Sequence, residues 1–456
     1  MDMLKKTLPL LVFATTSLLA DSIFQAVNIG NLGTNFLGAG AASGVALSAT
    51  GQVIGQSLVN GNPNKINAFY YAGGILSNIG VLGFGADGAS RTLAHSMNSS
   101  GLVVGQSTAY GQGSNLGERA VLWDGISLNS LGTFGTTSFG TGYSAALSIN
   151  QAGTAVGTAT MYSNGNFVGQ RAFQWTSGTG LVDLGVLQND PNLVNASAAL
   201  DINNSGRAVG YSTVFTGNVA KGTRAVIFEN GSNTQISALG VDGAGFANAS
   251  ATMVNQAGVV AGNSSFGSRG TRGFVYKNGV LTNIGTLGED QTGYGSSVSK
   301  DLSETGIVVG NSQYYANDQI QGERGFLWSN GIMINLGLLA GAVNPGSYSE
   351  ANGVNDGGQV VGRSSSATNV HATWWSNGML YDLNDLVSGL NGYVLEDAVD
   401  INNLGQILVN GMNYSTNETR AFLLTPVSGV PEPQTYLLTG LGLIAIARIG
   451  KRIKDC

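Results

Sequence analysis

Asn203-Asn204-Ser205-Gly206-Arg207-Ala208-Val209-Gly210 decides the fold, because the chain repeats it. The same pattern stands at Asn98 to Gly105, Asn150 to Gly157, Asn255 to Gly262 and Asn355 to Gly362. Ser48 to Gly55 and Ser303 to Gly310 vary it, and Asn402 to Val409 closes the series with valine at the last position. The final positions are 50, 52, 53, 52, 48, 52 and 47 residues apart, so there are eight copies. A fixed period of this length is the signature of a repeat architecture.

Each copy continues alike. A polar segment leads to a short Arg-Ala-Phe-like strand with an aromatic end, as at Arg119 to Trp123, Arg171 to Trp175, Arg224 to Phe228, Arg272 to Tyr276, Arg324 to Trp328 and His371 to Trp375. A tight turn such as Asn278-Gly279, Asn330-Gly331 or Asn377-Gly378 follows, then a strand ending in Leu-Gly, as in Asn335-Leu336-Gly337. Asn-Gly between alternating apolar residues is a strong hairpin signal. Each unit thus reads as four short strands, a to d, with a before the Asn motif, b at its end, c the Arg-Ala-Phe strand and d the Leu-Gly strand. Four antiparallel strands in about 50 residues make a β-propeller blade, so the fold class is an all-β propeller of eight blades. A right-handed β-solenoid is the alternative, although its coils are shorter and lack paired hairpin turns. The eighth copy stops after its c strand at Arg420 to Leu424, while the chain opens with an unpartnered d-type strand, Gln25 to Gly33. The first strand is therefore expected to complete the last blade and to remove a free sheet edge.

Both ends depart from the repeat. Lys5 and Lys6 precede an apolar run, Thr7 to Leu19, and Ala20 supplies a small residue before Asp21, the layout of a secretory signal peptide cut by signal peptidase. After Val430 come Pro431, Glu432 and Pro433, then an apolar stretch from Tyr436 to Ala447, then Arg448, Lys451, Arg452 and Lys454. The positive-inside rule keeps such a basic end cytoplasmic, and the run is short for a full span of about 20 residues. The domains read as 1–20 signal peptide, 21–429 propeller and 430–456 sorting tail. This tail resembles the PEP-CTERM sorting signal, which implies an exosortase that cuts it, transient residence in the inner membrane and a Gram-negative host making extracellular polymer. The repeats resemble the HAF family of extracellular proteins, with Asn-x-x-Gly-x-Val-Val-Gly, His/Arg-Ala-Phe-x-Trp and Asp-Leu-Gly-Thr-Leu-Gly. Here Arg replaces the family's His in most copies, His371 excepted, and Gly285-Thr286-Leu287-Gly288 comes nearest to the family's ending. The resemblance implies export and a surface location, and no established activity.

Glycine is 70 of 456 residues, about twice ordinary usage, and proline only 7, which favours many tight turns over collagen or linkers. Residues 21–429 hold 14 Lys and Arg against 23 Asp and Glu, a net charge of −9, which excludes nucleic acid as a partner. Cys456, the only cysteine, lies in the tail, so the processed chain would have no disulfide.

Little in the sequence suggests catalysis. His95 and His371 are far apart, and there is no His-rich metal motif, nucleophile elbow or phosphate loop. No cofactor is implied. Asp201-x-Asn203-x-Ser205-Gly206 begins like a calcium loop, but its twelfth position is Ser212, which removes the bidentate ligand. The repeated Arg119, Arg171, Arg224, Arg272, Arg324 and Arg420 are expected to tie blade to blade, with Asp201, Asp301 and Asp400 as candidate partners.

Variation falls in the b–c and d–a connections, which an up-down blade places on one face. Nine of fifteen tyrosines lie there: Tyr110, Tyr143, Tyr162, Tyr294, Tyr314, Tyr315, Tyr348, Tyr393 and Tyr414. Exposed Tyr among Ser, Asn and Gly is adaptable recognition chemistry, and the scarcity of Lys and Arg suits a neutral, hydroxyl-rich ligand such as polysaccharide. The expectation is a non-catalytic surface protein. A glycan lyase or hydrolase is the alternative; it would draw on the acidic pairs Glu289–Asp290 and Glu396–Asp397.

Overall fold

The computed structural model describes residues 23–35, 37–59, 65–188, 194–343 and 346–427. The signal-peptide and sorting-tail readings, with Pro431, Glu432, Pro433, Arg448, Lys451 and Arg452, lie outside the described residues.

The described chain is a β-propeller. Its strands form eight four-stranded antiparallel units, with a strands at Ala42–Leu47, Ser90–Met97, Ser144–Ile149, Asn195–Ile202, Ala249–Val254, Ser297–Leu302, Ser349–Val354 and Val394–Ile401. Short parallel bridges join the first unit to the second and the third to the fourth. Each a strand touches the a strands of both neighbouring units, including the eighth against the first, so the a strands line a closed ring. The N-terminal strand Phe24–Gly30 pairs antiparallel with Glu418–Pro426 and supplies strand d of blade 8, as its sequence anticipates.

The core lies between blades. Val209, Ala225 and Ile227 of blade 4 pack on Ala251, Val260 and Phe274 of blade 5, and equivalent clusters fill the other junctions. Phe69, Phe173, Phe274, Phe326 and Phe422, one per c strand, are almost wholly buried. Each such side chain contributes roughly 2–3 kcal/mol by removal from water.

The repeated asparagine closes the ring in a second way. Its side-chain oxygen caps its own a–b turn; Asn203 Oδ1, for example, accepts the Ser205 and Arg207 N–H groups at 3.1 Å. Its Nδ2 donates to the same position's carbonyl one blade on. These bonds run from Asn98 to Asn150, Asn150 to Asn203, Asn203 to Asn255, Asn255 to Ser303, Asn355 to Asn402 and Asn402 to Ser48, at 3.0 to 3.2 Å. Ser48 and Ser303 cap their own turns and are too short to reach onward.

Two expectations need correction. The aspartates do not pair with the repeated arginines. A bulge in each a strand turns Asp201, Asp301 and Asp400 toward the following blade, where they accept the N–H groups of Val254, Val354 and Leu47 at 2.8, 2.8 and 2.9 Å. The arginines instead grip main-chain carbonyls of the following d–a connection, as Arg224 grips Ala247 and Arg324 grips Ser347. Several b–c connections are not loops: strands b and c of blades 2, 3, 4 and 6 extend into hairpins such as Ala155–Ser163 and Asn166–Thr176, joined by Asn164-Gly165. His95 lies within strand a of blade 2, where burial lowers its pKa against a hydrogen bond to Gln106 and the field of Glu118.

These three strand-a aspartates make a pH prediction. Burial raises all of them; Asp301, with Asp400 as its next influence, is pushed up to about 7. A carboxyl whose folded pKa exceeds its unfolded value of about 3.9 binds its proton more tightly in the fold. Its contribution is therefore full below about pH 4 and is lost as pH rises through 7. Melting followed by circular dichroism should come at lower temperature at pH 8 than at pH 5, and Asp301→Asn should flatten that difference. An unchanged slope in the variant would show that Asp301 is not the coupled group.

Candidate functional site

Blade 8 departs from the repeat at one position, and a cavity lies beside it. In most other copies the motif's last residue is a glycine pressed against a strand-a carbonyl; a Cβ on Gly210 would meet the Ala198 oxygen at 1.9 Å. Blade 8 has Val409 there, and its a strand carries a second irregularity between Leu395 and Asp397 besides the bulge common to all blades. In a regular strand Glu396 and Asp397 would point to opposite faces. Here both line one cavity of about 700 Å³ at the junction of blades 7 and 8, on the face of the b–c and d–a connections.

Tyr348, Arg363 and Tyr414 line it with them, and Ser365 to Val370 form another wall. The Tyr414 hydroxyl donates to Glu396 and is itself exposed. That bond, then partial burial, raises the Tyr414 pKa. Asp397 accepts from Asn352 Nδ2 at 2.9 Å, and burial raises its pKa against the nearby Arg363 charge. Arg363 lies 5.7 Å over the Tyr348 ring and donates to Glu350 at 3.0 Å, and Glu350 also binds Lys300. Desolvation works against the ionised Glu350, yet the Lys300 and Arg363 bonds outweigh it and hold its pKa down. Two carboxylates thus sit in differing environments beside an aromatic ring and a fixed guanidinium.

The nine tyrosines do not converge. Tyr348 and Tyr414 share this cavity. Tyr110, Tyr162, Tyr314 and Tyr315 lie on extended hairpin strands. Tyr162 packs edge-on to Phe167, and Arg324 covers the Tyr314 ring. Tyr143 donates to Gln106 at 3.4 Å, and Tyr393 donates to Glu418 at 2.9 Å while packing on Phe422. Only Tyr294 and Tyr414 of the nine are exposed, at 38% and 58%, so most of these rings brace the face instead of presenting themselves.

The acidic pairs also part. Glu289 binds the buried Arg272 at 2.9 Å, and Asp290 caps a turn by accepting from Thr292 and Tyr294. The pair is spent on structure. His371 takes the repeated arginine's place and is joined to Asp382 by a 2.6 Å hydrogen bond, also a structural arrangement. Arg363, Glu350 and Asn352 escape a reading by motif. The one signal for Arg363 is that it follows the motif's glycine, where other copies have Gln, Thr, Tyr or Asn.

No family model and no curated protein matches the chain. Among solved structures it is similar to a prolyl endopeptidase, at 11% identity and a TM-score of 0.41, covering 83% of this chain and 55% of that one. The chain thus spans about half the length of that enzyme. It is also similar to the β-propeller domain of the Trilobed protease from Pyrococcus furiosus, at 10% identity and 0.39, over 76% of this chain and 95% of that one. The polysaccharide lyase Uly1 is similar at 10% identity and 0.38, over 85% and 90%.

Proposed function

We propose that the chain is an exported, non-catalytic surface or extracellular-matrix protein of the HAF type that binds a hydroxyl-rich polymer, a polysaccharide, through the face of its variable connections. The observation that carries this is the cavity between blades 7 and 8, where Tyr348, Arg363, Glu396, Asp397 and Tyr414 converge. An aromatic face beside fixed carboxylates and a guanidinium suits a sugar ring, with apolar C–H faces and hydroxyls at its edge. Carboxylates at the cavity favour a neutral polymer over a polyanion. Export and tail processing by signal peptidase and exosortase rest on the terminal motifs.

Replacing Tyr348 and Tyr414 together by Ala should weaken retention on immobilised neutral exopolysaccharide at least tenfold, with thermal unfolding little changed. Retention equal to that of the parent chain would sink this assignment.

The paired carboxylates favour one second reading, a glycan-active enzyme. A carboxyl raised by burial next to one of different environment is the arrangement of an acid and its partner. Incubation with the same polysaccharide and analysis of chain length separates the two. Shortened products lost in Asp397→Asn would favour the enzyme; an unaltered polymer favours binding alone.

A further inference from the structure

The face opposite the cavity carries the short a–b and c–d turns, and it has its own pattern. Within the c–d turn or at the first position after it, blade after blade places an apolar residue in solvent. Ile75 is 69% exposed, Ile126 94%, Val280 62%, Ile332 66% and Met379 50%. Packing does not demand this, for blade 4 carries Ser232 at the same place and folds alike. The ring's symmetry sets these side chains around one rim. Single exposed apolar residues need no explanation, but a repeated one on a common plane makes a surface.

The chain leaves the propeller on that same face. Strand c of blade 8, Glu418–Pro426, runs from the variable face to the short-turn face. Pro426 lies beside Gly405 of the a–b turn, and Val427 N–H bonds the Ile23 carbonyl at 3.0 Å, so both ends of the described chain meet there. Residues 428–435 separate Val427 from the apolar run Tyr436 to Ala447. Fully extended, that segment reaches at most about 28 Å. A membrane holding the run therefore lies close to the short-turn face.

We infer that the short-turn face rests on the lipid bilayer, with Ile75, Ile126, Val280, Ile332 and Met379 as its contacts, and that the cavity face points away from the membrane. This rests on the tail being a membrane segment and goes beyond the ligand proposed above. Asp124, Glu304 and Asp356 occupy turns of the same face, so a zwitterionic surface suits it better than an anionic one.

The test uses the full-length chain with Cys456→Ser, reconstituted in phosphatidylcholine vesicles that carry a nitroxide at the headgroup. A fluorophore is placed by Ile126→Cys or by Phe139→Cys, the latter 87% exposed in the d–a connection of the opposite face. Quenching should be at least threefold stronger at position 126. Four further substitutions, Ile75→Ser, Val280→Ser, Ile332→Ser and Met379→Ser, should halve the quenching at 126. Equal quenching at both positions, or stronger quenching at 139, overturns the orientation. Unchanged quenching in the serine variant overturns the apolar contact. A chain that stays in solution overturns both this inference and the tail reading, whereas a vesicle-bound chain quenched at 139 overturns the inference alone.

Discussion

A chain lacking residues 22–33 should no longer unfold as one cooperative unit and should associate into oligomers. The strand removed is the d strand of blade 8, and it holds the ring's two ends together. Phe24 is 2% exposed, packs edge-on to Trp374 at 5.4 Å and belongs to a cluster with Leu395, Phe422 and Leu424. Ile29 is 4% exposed and packs with blade 1. Losing a buried Phe costs about 3–5 kcal/mol and a buried Ile about 2–5 kcal/mol, so the combined loss rivals a domain's whole stability. The deletion also leaves Glu418–Pro426 as an unpaired edge, a template for another chain. Light scattering and calorimetry on the shortened protein test this. A monomer melting within a few degrees of the parent would mean that the ring holds without its closing strand.

Gly210→Ala should cost about 3 kcal/mol or more, far beyond the usual effect of one methyl group. The new Cβ would meet the Ala198 oxygen at 1.9 Å, and that atom is main chain, so it moves only if strand a moves. The backbone dihedrals at Gly210 are not the obstacle. The control is Gly206→Ala: its φ is +86° and nothing lies within 4 Å of the new carbon, so its cost is conformational, about 1 kcal/mol. Chemical denaturation should rank the two clearly. A smaller loss at 210 than at 206 would contradict the close-approach account. Blade 8 tolerates Val409 at this position together with its altered strand a, and there the irregularity brings Glu396 and Asp397 to one cavity.

The propeller was legible because its punctuation is local. Asn-x-x-Gly turns and Asn-Gly hairpins fix strand ends, and the period places them every 50 residues or so. Ring closure followed from strand order alone, a lone d strand at one end and a missing d strand at the other. The extended b–c hairpins could also have been read, since Asn164-Gly165 is the same turn signal used elsewhere; long polar connections disguised it. The partners of Asp201, Asp301 and Asp400 were not legible. Charge suggests arginine, but a bulge in strand a turns these carboxyls to backbone N–H groups near the ring axis, while the arginines sit by the variable face. Of the nine tyrosines, composition identified the face and not the site, because exposure depends on neighbours such as Phe167, Arg324 and Glu418. The acid pair depends on one bulge, to which Val409 was the only clue.

The seam of blade 8 also governs when folding can finish. Phe24–Gly30 is made early and Glu418–Pro426 close to last, so the first strand waits for almost the whole chain. Pairing ends this far apart by chance would be slow, since closure entropy grows with the logarithm of separation. The intervening blades lessen that burden by stacking in sequence and carrying the two ends toward each other. Until then the early strand is an open edge that fits any copy's last blade as well as its own. Within one molecule the seam closes at a rate independent of concentration. Between molecules it would exchange identical strands and link rings into swapped oligomers, favoured by crowding of unfinished chains.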